Sequence, residues 1–113
     1  DIVLPARHAR AWALIVHELA TNAVKYGALS YPEGRVLITW SRVGENLDFV
    51  WAETGGSDAP QIPSSSGFGT KLIDAMVKSL GGTITRGAHH DGLKCSISVP
   101  LSELELPTRT QAP

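Results

Sequence analysis

The stretch from Ala6 to Tyr26 constrains the fold more than any other part of the chain. Trp12, Ile15, Val16, Leu19 and Ala23 recur there at steps of three and four, the period of a helix with one apolar stripe. At about 1.5 Å per residue such a helix is roughly 30 Å long, and a stripe of that length has to be covered by another layer. Gly27 follows and is expected to take the left-handed position that stops a helix. Ahead of the helix, Ile2-Val3-Leu4 reads as a short buried strand ended by Pro5, and His8 reads as a surface residue of the first turn.

The covering layer follows from the rest of the chain. After a loop with Pro32 and Gly34 as breakers, Arg35 to Val43 alternates around Val36, Ile38 and Trp40, and Leu47 to Glu53 alternates around Leu47, Phe49 and Trp51. The short link Gly44 to Asn46 joins them as an antiparallel hairpin. Residues 54 to 66 carry Gly, Pro and Ser without periodicity and read as a mobile loop. Gly67 to Leu80 is a second helix, with Leu72, Ile73, Met76, Val77 and Leu80 inward and Gly81-Gly82 as its stop. Thr83 to Arg86 and Leu93 to Val99 make another hairpin through a turn holding His89 and His90; Leu93, Cys95, Ile97 and Val99 face in. One-sided strands and one-sided helices give an α+β, two-layer sandwich: a mixed, mostly antiparallel sheet covered on one face by helices. Residues 1–101 form the domain, and Ser102 to Pro113 reads as a loose tail. Trp12, Trp40 and Trp51 read as core or interface aromatics.

Size and charge narrow the function. A chain of 113 residues, 42% hydrophobic, makes one domain. Ten Lys and Arg against eleven Asp and Glu leave a charge of -1, with no excess of positive charge to drive phosphate-backbone binding, so nucleic acid is not an expected partner. The single cysteine, Cys95, closes no intrachain disulfide and builds no cysteine metal cage, which suits a reducing, cytoplasmic setting. No apolar run reaches the roughly 18–20 residues of a membrane-spanning helix, so no direct membrane contact is expected. The chain opens on Asp1 rather than Met and is expected to be a segment of a longer protein.

Three polar features point to chemistry. On the long helix, Glu18, Asn22 and Lys25-Tyr26 share a face; an amide oxygen and a carboxylate can reach one hard cation, and a lysine one turn on can neutralise a phosphate. The same spacing also describes an ordinary solvated face with an intrahelical pair. At Glu53 to Gly56, a carboxylate at a strand end followed by paired glycines can accept a hydrogen bond from a flat amino-bearing ring, or can simply be a strand ending in a turn. At Gly67 to Thr70, free amides at a helix start make an anion site, or a flexible helix start. Together they supply a cation site, a base-reading carboxylate and a phosphate nest, the three requirements of a nucleoside triphosphate.

Other motifs fail on spacing. The run beginning His17-Glu18 has Thr21 where a zinc protease has its second histidine. Gly67-Phe68-Gly69-Thr70-Lys71 lacks the order of a P-loop, and it does not follow a first strand as a dinucleotide fingerprint does.

In order and spacing, His17 to Ser30 (HELATNAVKYGALS), Trp51 to Gly56 (WAETGG) and Gly67 to Ile73 (GFGTKLI) resemble the N, G1 and G2 boxes of the HWE-type histidine kinases of the GHKL ATPase superfamily. His17, Trp51 and Glu53 match the residues that give the group its name, and the likeness covers residues 1–101. The resemblance implies a sandwich that binds ATP and Mg²⁺ between the long helix and a mobile lid. It implies that Asn22 coordinates Mg²⁺ with Glu18 nearby as a further ligand or proton-handling group, and that Lys25 and Tyr26 contact phosphate or ribose. Glu53 would hold the adenine amino group beside Gly55 and Gly56, and Gly67, Gly69 and Thr70 would cradle the phosphates, with Phe68 completing the nucleotide-binding set. Glu18, Asn22 and Lys25 are the residues expected to act in catalysis.

It further implies a catalytic domain of a bacterial two-component sensor kinase. In the intact homodimeric protein this domain would pass the γ-phosphoryl of ATP to a histidine on dimerisation helices, and from there to a response-regulator receiver domain. Those helices would lie before Asp1, so no autophosphorylation is expected of this segment alone. A nucleotide-sensing module without kinase activity is the alternative. The chain departs from the pattern in having Glu53 where most GHKL proteins have Asp, and Ser64-Ser65-Ser66 where basic lid residues are common, which predicts weaker phosphate neutralisation.

Overall fold

The computed structural model describes residues 6–56, 68–89 and 92–100. The elements in chain order are α1 (Ala6–Tyr26), a short 3-10 turn (Ala28–Ser30), β1 (Arg35–Val43), β2 (Asn46–Thr54), α2 (Phe68–Ser79), β3 (Thr83–His89) and β4 (Gly92–Pro100). The strands form one sheet in the order β1-β2-β4-β3, and all three pairings are antiparallel. The expected mixed character is therefore not seen among the described residues, and Ile2-Val3-Leu4, the loop core at 57–67 and the tail all lie outside them.

The sheet has one apolar face because its two central strands, β2 and β4, alternate; the edge strand β1 is exposed along nearly all its length, so its expected alternation around Val36, Ile38 and Trp40 does not bury it. Leu47, Phe49 and Trp51 of β2 and Cys95, Ile97 and Val99 of β4 point to the same side, where they pack against Trp12, Ile15, Leu19 and Ala23 of α1 and Ile73 and Val77 of α2. Side chains such as Ile15, Phe49 and Ile97 are fully buried, each worth about 1.5–3 kcal/mol against exposure. Trp12, Trp40 and Phe49 meet in a ring cluster with centroids 4.7–5.2 Å apart, which fixes the N-terminal half of α1 over β1 and β2. Trp40 sits at the cluster's edge and is 46% exposed.

Helix ends show where local signals hold. α2 closes in a Schellman arrangement: Gly81 is left-handed at φ 72, its N–H donates to the Lys78 carbonyl at 2.9 Å, and the Gly82 N–H donates to the Val77 carbonyl at 3.0 Å. α1 ends differently. Gly27 donates to the Ala23 carbonyl at 3.1 Å but is extended, at φ -116 and ψ -151, so the expected left-handed stop is corrected. Its glycine has another cause, the approach of Glu53 described below.

Two further expectations are corrected. His8 is buried, 4% exposed, and not at the surface: it lies on the inward side of α1 while Ala6, Ala9 and Arg10 around it are exposed. His89 is the last residue of β3, paired with Gly92, so the strand runs further than its apolar pattern; His90 lies outside the described residues. β2, β3 and β4 also extend beyond their apolar cores, since ladder bonds are indifferent to side-chain polarity.

Candidate functional site

The C-terminal half of α1 gathers the three motifs. Glu18 and Asn22, one turn apart, lie half-buried on the side of α1 that meets the start of α2. A methyl at Gly69 would stand 2.7 Å from Glu18 Oε1 and 3.7 Å from Asn22 Oδ1, so the absence of a side chain at 69 lets the α2 backbone rest against both oxygens. Thr70, the next residue, is buried. Two hard oxygen donors thus converge beside the first turn of a helix, a donor set that fits Mg²⁺, which takes one or two protein ligands and completes its shell with phosphate and water. Among the described residues no three His, Cys, Asp or Glu side chains cluster as a self-sufficient metal cage.

At the end of α1 stands Glu53, the last inward residue of β2 and 2% exposed. Its Oε1 accepts from the Ala28 backbone N–H at 3.0 Å, and its Oε2 accepts from the Trp51 indole Nε1–H at 2.8 Å. A Cβ on Gly27 would collide with Oε1 and lie 3.2 Å from the Ala23 Cα, which explains glycine at the helix end. The carboxylate therefore binds the end of α1 to the sheet. Gly55 turns the chain after β2 at φ 77, and a side chain there would strike the Glu33 carbonyl, so the room it leaves is taken by the loop before β1.

The other expected residues fall around this axis. Lys25 and Tyr26 are exposed on the last turn of α1, and His17 is exposed one residue before Glu18, its carbonyl accepting from the Thr21 hydroxyl at 2.9 Å. Gly56 is half-buried after the strand end. The backbone of Phe68 opens α2, while Gly67 and the serine-rich lid at 64–66 lie outside the described residues. Sequence reasoning missed Trp51, Gly27 and Ala28 as the partners of Glu53. For Trp51 a signal existed: residues two apart on a strand share a face.

Away from this axis, Arg86 Nη2 donates to Asp74 Oδ1 at 2.7 Å, linking β3 to α2. Beside it, burial pushes the Cys95 thiol up to about 11, partly offset by the Arg86 charge. No helix among the described residues is long and apolar enough to cross a membrane.

Comparison with known proteins bears on these motifs. No protein-family model matches the chain. It is 47% identical over 106 residues to blue-light-activated histidine kinase 1 of Erythrobacter litoralis, an alignment that takes in 92% of the chain and 29% of that protein. It thus spans less than a third of that relative's length. Among solved structures, the histidine kinase domain of an Erythrobacter litoralis blue-light-activated histidine kinase superposes with a TM-score of 0.73 at 22% identity, over 90% of this chain and 52% of that one. The catalytic domain of the histidine kinase ThkA superposes with a TM-score of 0.65 at 16% identity, over 80% of this chain and 66% of that one. At those identities the superpositions speak for the fold, and the aligned sequence speaks for descent. The chain is a homologue of the blue-light-activated histidine kinases, and its two-layer α/β fold is that of a histidine kinase catalytic domain.

Proposed function

We propose that this chain is the ATP- and Mg²⁺-binding catalytic domain of a two-component sensor histidine kinase, supplying the γ-phosphoryl group to a phosphoacceptor histidine outside residues 1–113. The observation that carries the reading is the convergence of Glu18 and Asn22 on the backbone of Gly69, with the buried Glu53 carboxylate fixed at the far end of the same helix. On this reading the cation ligands, the helix start and an acceptor-only base reader would all be served by α1.

Phosphoryl transfer needs little covalent help, so the work of the domain is positioning and charge neutralisation. Magnesium, when bound, neutralises phosphate charge and polarises the phosphoryl oxygens. Asn22 Oδ1 and Glu18 Oε1 are the oxygens that would hold it. Lys25 would add positive charge from the last turn, Tyr26 would line the ribose side, and the Gly69 and Thr70 amides would receive phosphate oxygens at the start of α2, with Gly67 and Phe68 before them. Glu53 would accept from the adenine amino group, beside Gly55 and Gly56. Dimerisation helices and a response-regulator receiver domain are the partners this role requires, in a cytoplasmic, homodimeric parent protein.

Calorimetry with ATP, with and without magnesium, tests the reading. The unaltered chain should bind ATP in a magnesium-dependent manner. Asn22→Ala should abolish the magnesium dependence while the thermal transition is retained, and Glu53→Ala should weaken every adenine nucleotide. Unchanged affinity in both variants would overturn the assignment.

A further inference from the structure

We propose that Asp74 and Arg86 are positioning residues, whose ion pair holds the start of α2 against Glu18 and Asn22 and thereby sets the affinity for magnesium–ATP; the role rests on the nucleotide-site reading above. α2 meets α1 on one side and the edge strand β3 on the other. Its two ends are fixed by different means. The start rests on α1, where bare Gly69 lets the backbone approach Glu18 Oε1 and Asn22 Oδ1. The end is pinned to β4, since a side chain on Gly82 would stand 2.6 Å from the Ser98 carbonyl oxygen and 2.9 Å from Val99 Cγ2. Between the ends, Ile73 and Val77 are buried in the core. Apolar burial is non-directional, so it holds the helix down without fixing its rotation.

The ion pair supplies the missing direction. Asp74 follows Gly69 by five residues, about 140° around a helix with 3.6 residues per turn, so it leaves α2 on a different flank from the one that meets α1. There Arg86 Nη2 donates to Asp74 Oδ1 at 2.7 Å. Arg86 is paired in the ladder with the buried Cys95 and so stands on the inward face of β3, from which its guanidinium reaches the helix. A rotation of α2 that carried Gly69 away from Glu18 would also displace Asp74, and a charge-assisted hydrogen bond weakens steeply as its geometry is lost. With side-chain exposures of 46% for Asp74 and 20% for Arg86, the pair adds little to stability. What it contributes is orientation, at the helix whose first turn would receive phosphate.

The test compares the unaltered chain with Asp74→Ala, which removes the acceptor, and with Asp74→Asn, which keeps an oxygen in its place. Asp74→Ala should lose about two- to fivefold in magnesium–ATP affinity by calorimetry, a ceiling set by what a partly exposed ion pair contributes. In the same variant the Gly69 amide ¹H–¹⁵N resonance of the nucleotide-free chain should shift. Asp74→Asn should return both readouts close to their unaltered values. A merely structural role predicts the reverse order, because alanine is the better helix former and asparagine the poorer. An Asp74→Asn chain as impaired in binding as Asp74→Ala would therefore overturn the proposal, and so would a Gly69 resonance unmoved in Asp74→Ala. Arg86→Met cuts the same bond from the sheet side and should reproduce the Asp74→Ala result; unchanged affinity and an unmoved resonance there would contradict the role. Absence of magnesium–ATP binding by the unaltered chain would overturn the nucleotide-site reading and the affinity claim with it. The Gly69 resonance separates that failure from a failure of the helix positioning, since it is read without nucleotide.

Discussion

Replacing Gly27 by alanine adds one methyl group at the junction of helix and sheet. That methyl would collide with Glu53 Oε1 and stand 3.2 Å from the Ala23 Cα. The backbone at φ -116 and ψ -151 is one that alanine tolerates, so no conformational strain enters. Alanine also has fewer unfolded conformations than glycine, a gain of roughly 0.4–1 kcal/mol. Against it stands the displaced carboxylate. Losing one hydrogen bond to a buried charged group costs about 1.5–3 kcal/mol. The net is a loss of roughly 1–2 kcal/mol, or a melting temperature lower by roughly 5–15 °C for a domain of this size. Urea unfolding followed by tryptophan fluorescence measures it. The same substitution made on Glu53→Ala should be neutral or stabilising, because the oxygen it strikes is gone. An equal cost in both backgrounds would refute the reasoning, since the two residues would then act independently.

Two further outcomes follow from the fold. Gly81→Ala places a side chain at φ 72 in the Schellman stop of α2 and should cost about 1–2 kcal/mol, whereas glycine at an ordinary φ would have cost nothing to replace; chemical denaturation reads it. Burial raises the Cys95 thiol from 9.0 to about 11, so the folded chain holds its proton where the unfolded chain has released it. Stability from this group is therefore complete below pH 9 and is lost as pH rises towards 11, by roughly 2–3 kcal/mol in all. Cys95→Ser should flatten that alkaline slope in pH-dependent unfolding.

Much of this was legible from local pattern. α1 runs from Ala6 to Tyr26 as its apolar period requires, because one-sided burial is written into spacing, and β1 spans Arg35 to Val43 as expected although Ile38 and Trp40, expected to face inward, are exposed on this edge strand. The misreadings share a cause, which is that the deciding partner is remote. A glycine after a helix answers either a left-handed backbone or a lack of room, and at 27 the occupant is Glu53, whose bond to Ala28 spans 25 residues. His8 looks like any polar first-turn residue until the packed layer closes over it. At the site, the grouping of Glu18 with Asn22 was visible as helical spacing, but their meeting with Gly69 depends on how two helices pack. The alternation of β2 showed that Glu53 faces inward with Trp51, and chemistry alone could then have joined the indole to the carboxylate.

The most direct measurement is a crystal structure of the chain with a non-hydrolysable ATP analogue at millimolar magnesium. The expected result is a nucleotide along the edge of α1, its metal on Asn22 and Glu18, its phosphates at the start of α2 and its amino group at Glu53. An analogue bound elsewhere, or no bound analogue despite saturating concentrations, would contradict the assignment of this edge as the catalytic nucleotide site.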